Sequence, residues 1–132
     1  MLRRSGFSLR SKWVRFAALS LALCMLVTQS LRAAELVMFE AAACEWCEQW
    51  DAEVGVIYDK TQESRKAPLR RVFMHQPLPA DLLLLEKVRY SPTFVLLQDG
   101  REIGRILGYP GEDHFWGLLN QLLERIPTKP SS

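Results

Sequence analysis

Leu36-Val37-Met38-Phe39, followed after a short link by Cys44-Glu45-Trp46-Cys47 and then by Trp50, Val54 and Ile57, is the stretch that decides the fold. Its first four residues have the apolar content of a short buried strand. Ala41 to Ala43 make a tight link, and Trp46, Trp50, Val54 and Ile57 recur at three- and four-residue spacing, which predicts a helix from Glu45 to about Tyr58. A Cys-x-x-Cys opening a helix puts its first sulfur at the positive end of the helix dipole, where thiolate is favoured over thiol. Cys44 is therefore the candidate nucleophile. Cys47, one turn on, is placed to attack a mixed disulfide formed on Cys44, release the partner and close an intramolecular disulfide.

Upstream of this stretch the composition changes. Residues 1–34 carry Arg3, Arg4, Arg10, Lys12, Arg15 and Arg32 and no acidic residue, and Phe16 to Val27 is apolar apart from Ser20. Twelve residues are too few to span a bilayer, and a basic segment followed by such a run has the order of a secretory signal peptide. A cleaved leader over 1–34 is expected, with an uncleaved N-terminal membrane anchor as its rival, and hence a periplasmic location. Cys24 lies in the apolar run, where it reads as hydrophobic filler. The exported chain would keep two of the three cysteines, Cys44 and Cys47.

About 98 residues remain, enough for one small domain. The whole chain is formally +2, but the leader holds six of its 17 basic residues, leaving 11 against 15 acidic ones, a net charge of −4. Such a domain has no basic cluster with interleaved aromatics, which argues against a nucleic-acid partner. Glu40, Glu45, Glu48, Asp51 and Glu53 crowd the cysteine pair. They read as the solvated face of a helix; any direct effect on Cys44 would oppose the helix dipole.

Asp59 to Pro68 reads as a loop and Leu69 to His75 as a second strand, giving a strand-helix-strand unit around the cysteines. Gln76-Pro77-Leu78-Pro79 breaks the chain before an expected helical piece from Ala80 to about Val88. Thr93 to Gln98 and Arg101 to Leu107 flank Asp99-Gly100, a hairpin signal. An amphipathic helix is expected from Glu112 to Arg125, with Phe115, Leu118, Leu119, Leu122 and Leu123 on its apolar side. Trp50 and Trp116 read as core residues, whereas Trp46 between the cysteines should be partly exposed and able to contact a partner. Residues 127–132 read as a flexible tail.

The order strand, Cys-x-x-Cys, helix, strand, then Ser91-Pro92-Thr93-Phe94-Val95, a hairpin and a last helix, resembles the thioredoxin superfamily. The resemblance implies an α/β domain over 35–126 with a minimal thioredoxin-like fold: βαβ then ββα, a central mixed four-stranded sheet with helices on its faces. It implies that Pro92 is a cis-proline facing the cysteines, with Ser91 approaching the sulfurs and Tyr90 on the rim. Cys44 and Cys47 would be catalytic, and Trp46, Ser91 and Pro92 would bind substrate. The buried acid of thioredoxins, a proton acceptor for the second cysteine, aligns with Met38, and Glu40 is the nearest substitute in sequence.

Cys44-Glu45-Trp46-Cys47 with Trp50-Asp51-Ala52-Glu53, Gly108-Tyr109-Pro110-Gly111-Glu112 and Phe115-Trp116-Gly117-Leu118-Leu119 is similar to the SoxS-type periplasmic thioredoxins of bacterial sulfur-oxidation (Sox) systems. That similarity implies a reductase of a disulfide-bearing or sulfur-modified periplasmic protein such as the Sox carrier protein, recharged by a membrane thiol reductant. No cofactor is expected. The rival is a Cys/His metal module, with Cys44, Cys47, His75 and His114 as a zinc set or the thiolates with Met74 for copper(I). His75 and His114 are too far apart in sequence to form the second close pair of a structural zinc site. A purely structural Cys44–Cys47 disulfide closes too short a loop to be an effective staple.

Overall fold

The computed structural model describes residues 34–127. The expected leader, with Cys24, and the expected tail lie, apart from Ala34 and Pro127, outside the described residues. Among the described residues no helix is long and apolar enough to cross a membrane.

Strand β1 is Glu35–Glu40, and helix α1 starts at Glu45–Trp50, widens to a π-helical Asp51–Gly55 and closes as Val56–Tyr58. Then come α2 (Gln62–Lys66), β2 (Leu69–Phe73), a 3-10 turn at Ala80–Leu82, β3 (Thr93–Gln98), β4 (Arg101–Leu107) and α3 (Glu112–Glu124). The sheet runs β2-β1-β3-β4, with β1 parallel to β2 and antiparallel to β3, and β3 antiparallel to β4. This is the mixed four-stranded sheet expected. Asp99 and Gly100 turn the β3–β4 hairpin with φ of 53° and 75°, the left-handed pair a two-residue type I′ connection requires.

Period-two alternation divides the core. Leu36 and Met38 of β1 and Phe94 and Leu96 of β3 face one side, where they pack with Cys47, Trp50, Val54, Tyr58, Phe115 and Leu119 from α1 and α3. Val37, Phe39, Val95 and Leu97 face the other, covered by Leu78, Leu82, Leu85 and Val88 of the connection between β2 and β3. Gly104 of β4 lets α3 lie close, because a Cβ there would come within 2.6 Å of Leu122 Cδ2.

Four expectations are corrected. The 59–68 loop contains α2, five residues nucleated by Thr61, whose Oγ1 accepts the Ser64 N–H at 3.1 Å; so short a helix carries no readable period. The helix expected over 80–88 is a single 3-10 turn. Its leucine run does not bury one face: Leu82 is buried while Leu84 is 98% exposed. The connection is held instead by polar clamps, Arg70 to Asp81 at 2.7 and 3.1 Å and Arg105 Nη2 to the Glu86 carbonyl at 3.3 Å. On α1 the π-helical turn holds an extra residue, so the buried stripe continues from Trp50 and Val54 to Tyr58, and Ile57 is exposed. On α3, Leu118 is exposed and Trp116 is half-buried, stacked on Tyr58 with ring centroids 6.0 Å apart rather than enclosed in the core.

Candidate active site

The β1 chain leaves the sheet at Glu40 and turns through Ala43, whose φ of 54° is a left-handed conformation costing a non-glycine residue about 1 kcal/mol. Cys44 then caps α1. Its φ and ψ are extended, its carbonyl accepts the N–H of Cys47 and Glu48, and its Sγ also lies 3.2 Å from the Cys47 N–H. The two cysteines are joined as a disulfide with Cα atoms 5.2 Å apart. They differ in access: Cys44 is half-buried, whereas Cys47 is 4% exposed and belongs to the same apolar cluster as Met38 and Trp50. An incoming sulfur therefore meets Cys44 first.

The Ser91–Pro92 peptide bond is cis, and it sets Ser91 against the disulfide. Ser91 Oγ is 3.1 Å from Cys44 Sγ and 3.3 Å from Cys47 Sγ, and it accepts the Ala41 N–H at 2.9 Å. Pro92 is buried, and its carbonyl accepts the Gly108 N–H at 2.7 Å. Thr93 Oγ1 donates to the Tyr90 carbonyl at 2.8 Å, fixing the turn before the cis bond. Trp46 and Tyr90 are 56% and 64% exposed, large apolar surfaces available to a partner. Cys44, Cys47, Ser91 and Pro92 are thus brought together, with Trp46 exposed beside them in the sequence of the motif.

Glu40, expected with the other acids on a solvated face, is instead 7% exposed. Arg71, which stands beside Met38 in the β1–β2 register, donates from Nε to Glu40 Oε1 at 3.1 Å and from Nη2 to Glu40 Oε2. The same guanidinium reaches Asp51 Oδ1 at 2.5 Å and Oδ2 at 3.0 Å. Hydrogen bonds to Glu40 first, then to Asp51, hold the Arg71 pKa above its ordinary value. Glu40 is thus an ion-paired strut tying β1, β2 and α1 together. Met38 remains a wholly buried thioether where the resemblance would place an acid.

Glu53 is engaged as well. Tyr109, 6% exposed in the loop before α3, donates its hydroxyl to Glu53 Oε2 at 2.6 Å, and Gln49 donates to Oε1 at 3.1 Å. The Tyr109 bond, then the Gln49 bond, lowers the Glu53 pKa; burial, then the Glu53 bond, raises that of Tyr109. Of the five acids near the cysteines, only Glu45 and Glu48 fit the solvated face expected of all of them. Arg71 and the Tyr109–Glu53 pair carried no local signal, because each joins segments distant in sequence.

The metal set is not assembled. His75 and His114 are exposed, Met74 packs against the sheet face opposite Cys47, and among the described residues no group of three or more His, Cys, Asp or Glu could hold an ion.

No protein-family model matches the chain, and no curated protein does. Solved structures do. The periplasmic thioredoxin SoxS from Paracoccus pantotrophus, in its reduced form, is 45% identical over 71% of this chain and 99% of its own, with a TM-score of 0.68. A thioredoxin from Thermus thermophilus is 24% identical over 80% of this chain and 81% of its own, with a TM-score of 0.56. The thioredoxin of Fasciola hepatica is 24% identical over 77% of this chain and 92% of its own, with a TM-score of 0.54. At that identity the last two speak for the fold alone.

Proposed function

The chain belongs to the thioredoxin superfamily and is a thiol–disulfide oxidoreductase, and from that premise we propose that it works in the periplasm as a reductase of a partner protein's cysteine. The observation that carries this is the 45% identity to a periplasmic thioredoxin over nearly all of that protein's length. Residues 1–34 serve as the export leader and 35–126 as the working domain. Half-exposed Cys44 attacks the partner's disulfide or sulfur adduct, and enclosed Cys47 resolves the mixed disulfide. Trp46, Ser91 and Pro92 bind the partner chain: buried Pro92 holds Ser91 beside the sulfurs at the strand start, and Trp46 offers an exposed aromatic face. The favoured partner is the carrier protein of a Sox system, with a membrane thiol reductant returning the pair to the dithiol.

The direction of electron flow follows from how far the Cys44 thiolate is stabilised in the reduced form. Exposed Glu45 and Glu48 oppose the helix dipole, and no histidine lies between the cysteines. The potential should therefore lie nearer that of thioredoxin, about −270 mV, than that of the strongest oxidants, about −120 mV. Equilibration with glutathione measures it, and a value above about −150 mV would rule out a reductase. In the periplasm, Cys47→Ser should accumulate a Cys44-linked mixed disulfide with the Sox carrier. If the carrier never appears in the adduct, the partner assignment fails.

A further inference from the structure

We propose that Ser91 is a catalytic residue whose hydroxyl donates a hydrogen bond first to the Cys44 thiolate and then to the Cys47 thiolate, following the negative charge through the exchange. The proposal rests on the exchange chemistry and not on the partner's identity. Its ground is the position of one oxygen, within 3.1 Å of Cys44 Sγ and 3.3 Å of Cys47 Sγ and held there by the Ala41 N–H. A serine hydroxyl has one proton and two acceptor sites. Ala41 occupies one acceptor site, so the proton is free for a sulfur and one lone pair remains for a thiol S–H.

In the dithiol form both capacities are used. Cys47 S–H donates to Oγ, and the hydroxyl donates to the Cys44 thiolate. Cys44 Sγ attacks a partner disulfide R–S–S–R′, forming Cys44 Sγ–S–R and expelling R′–S⁻, and the charge on Cys44 is gone. The hydroxyl proton then has Cys47 as its neighbouring sulfur. Cys47 loses its proton to solvent, its thiolate is held by the Ser91 hydroxyl, and it attacks Cys44 Sγ to close the disulfide and release R–S⁻. Two electrons pass from the dithiol to the partner disulfide, and the two released thiolates take up protons from water.

Such a donor has a place in this chain because the base that would accept the Cys47 proton is missing: Met38 stands in the buried cluster with Cys47. The charged groups on the surrounding elements are otherwise occupied. Glu40 of β1 and Asp51 of α1 are paired with Arg71, Glu53 of α1 takes the Tyr109 hydroxyl, and Glu45 and Glu48 of α1, with Arg89 before the cis bond, are exposed. Ser91 lowers the Cys47 pKa by stabilising its anion where a carboxylate would act by taking its proton.

The test compares the wild type with Ser91→Ala and Ser91→Thr. Thiolate ultraviolet absorbance against pH gives the Cys44 pKa, and release of thionitrobenzoate from its mixed disulfide on Cys44 gives the rate of attack by Cys47. Ser91→Ala should raise the Cys44 pKa by about one unit and slow release about tenfold at neutral pH. The deficit in rate should disappear in alkali, where Cys47 ionises unaided, and Ser91→Thr should restore both readouts. An unchanged pKa and rate in Ser91→Ala, or a deficit equal at every pH, would overturn the proposal. A wild type that fails to release thionitrobenzoate would overturn the exchange chemistry itself and the proposal with it.

Discussion

Replacing Arg71 by alanine should expose how far the active-site end of the sheet depends on one guanidinium. Arg71 satisfies both oxygens of Glu40, a carboxylate whose side chain is only 10% exposed, and both oxygens of Asp51, which is 42% exposed. Asp51 would simply hydrate, at little cost. Glu40 would be left as a largely enclosed anion without its cation, a change that costs about 3 to 5 kcal/mol at a fully buried site. Arg71 is itself 37% exposed, so its removal admits water to Glu40, and we place the loss at about 2 kcal/mol. For a domain of this size that is a fall in Tm of roughly 10 °C. Thermal melts and urea titrations of the oxidised protein measure it. Adding Glu40→Gln to Arg71→Ala should recover about 1 kcal/mol relative to Arg71→Ala alone, because the stranded charge is what costs. A fall in Tm of less than about 2 °C, or effects of the two substitutions that simply add, would refute this account.

The remaining expectations concern ionisation. Tyr109→Phe removes the donor that depresses the Glu53 pKa. A depressed carboxylate contributes stability above its unfolded pKa and loses it as pH falls through the folded value, so the variant should be less stable than wild type at neutral pH and converge with it once the pH has fallen through that depressed value. Urea midpoints across that range measure the difference; a gap that persists in strong acid would refute the coupling. Tyr58 and Tyr109 have pKa values raised above the ordinary tyrosine value of 10, in both cases by burial first. A raised folded pKa means stability that is complete below the unfolded pKa and lost as pH climbs through the folded one. The domain should therefore weaken above about pH 10, with the tyrosinate absorbance of Tyr58 and Tyr109 appearing together with unfolding. Free titration of all tyrosines near pH 10 in a folded domain would contradict it.

What the chain reveals by itself and what it conceals divide along sequence distance. The unbroken apolar runs Leu36 to Phe39 and Phe94 to Leu97 mark strands with two buried faces, and Asp99-Gly100 marks the hairpin, because burial and turn geometry act over a few neighbouring residues. The Cys44–Cys47 pair at a helix start was likewise legible from residue type and spacing, whereas Pro92 entered the site only through the resemblance. The helix phase was not wholly so: the π-helical turn at Asp51–Gly55 exchanges Ile57 for Tyr58 in the core, a choice made by packing. Nor could spacing show that Ser91 reaches both sulfurs from 44 and 47 residues away, that Arg71 recruits Glu40 across 31 residues, or that Tyr109 caps Glu53 across 56. Hydrogen bonds and ion pairs form over about 3 Å, and only the folded sheet brings those groups within that range. Sequence alone determined the fold class and the reactive sulfurs; the tertiary structure decided which groups hold them, because those partners meet only after the strands have paired.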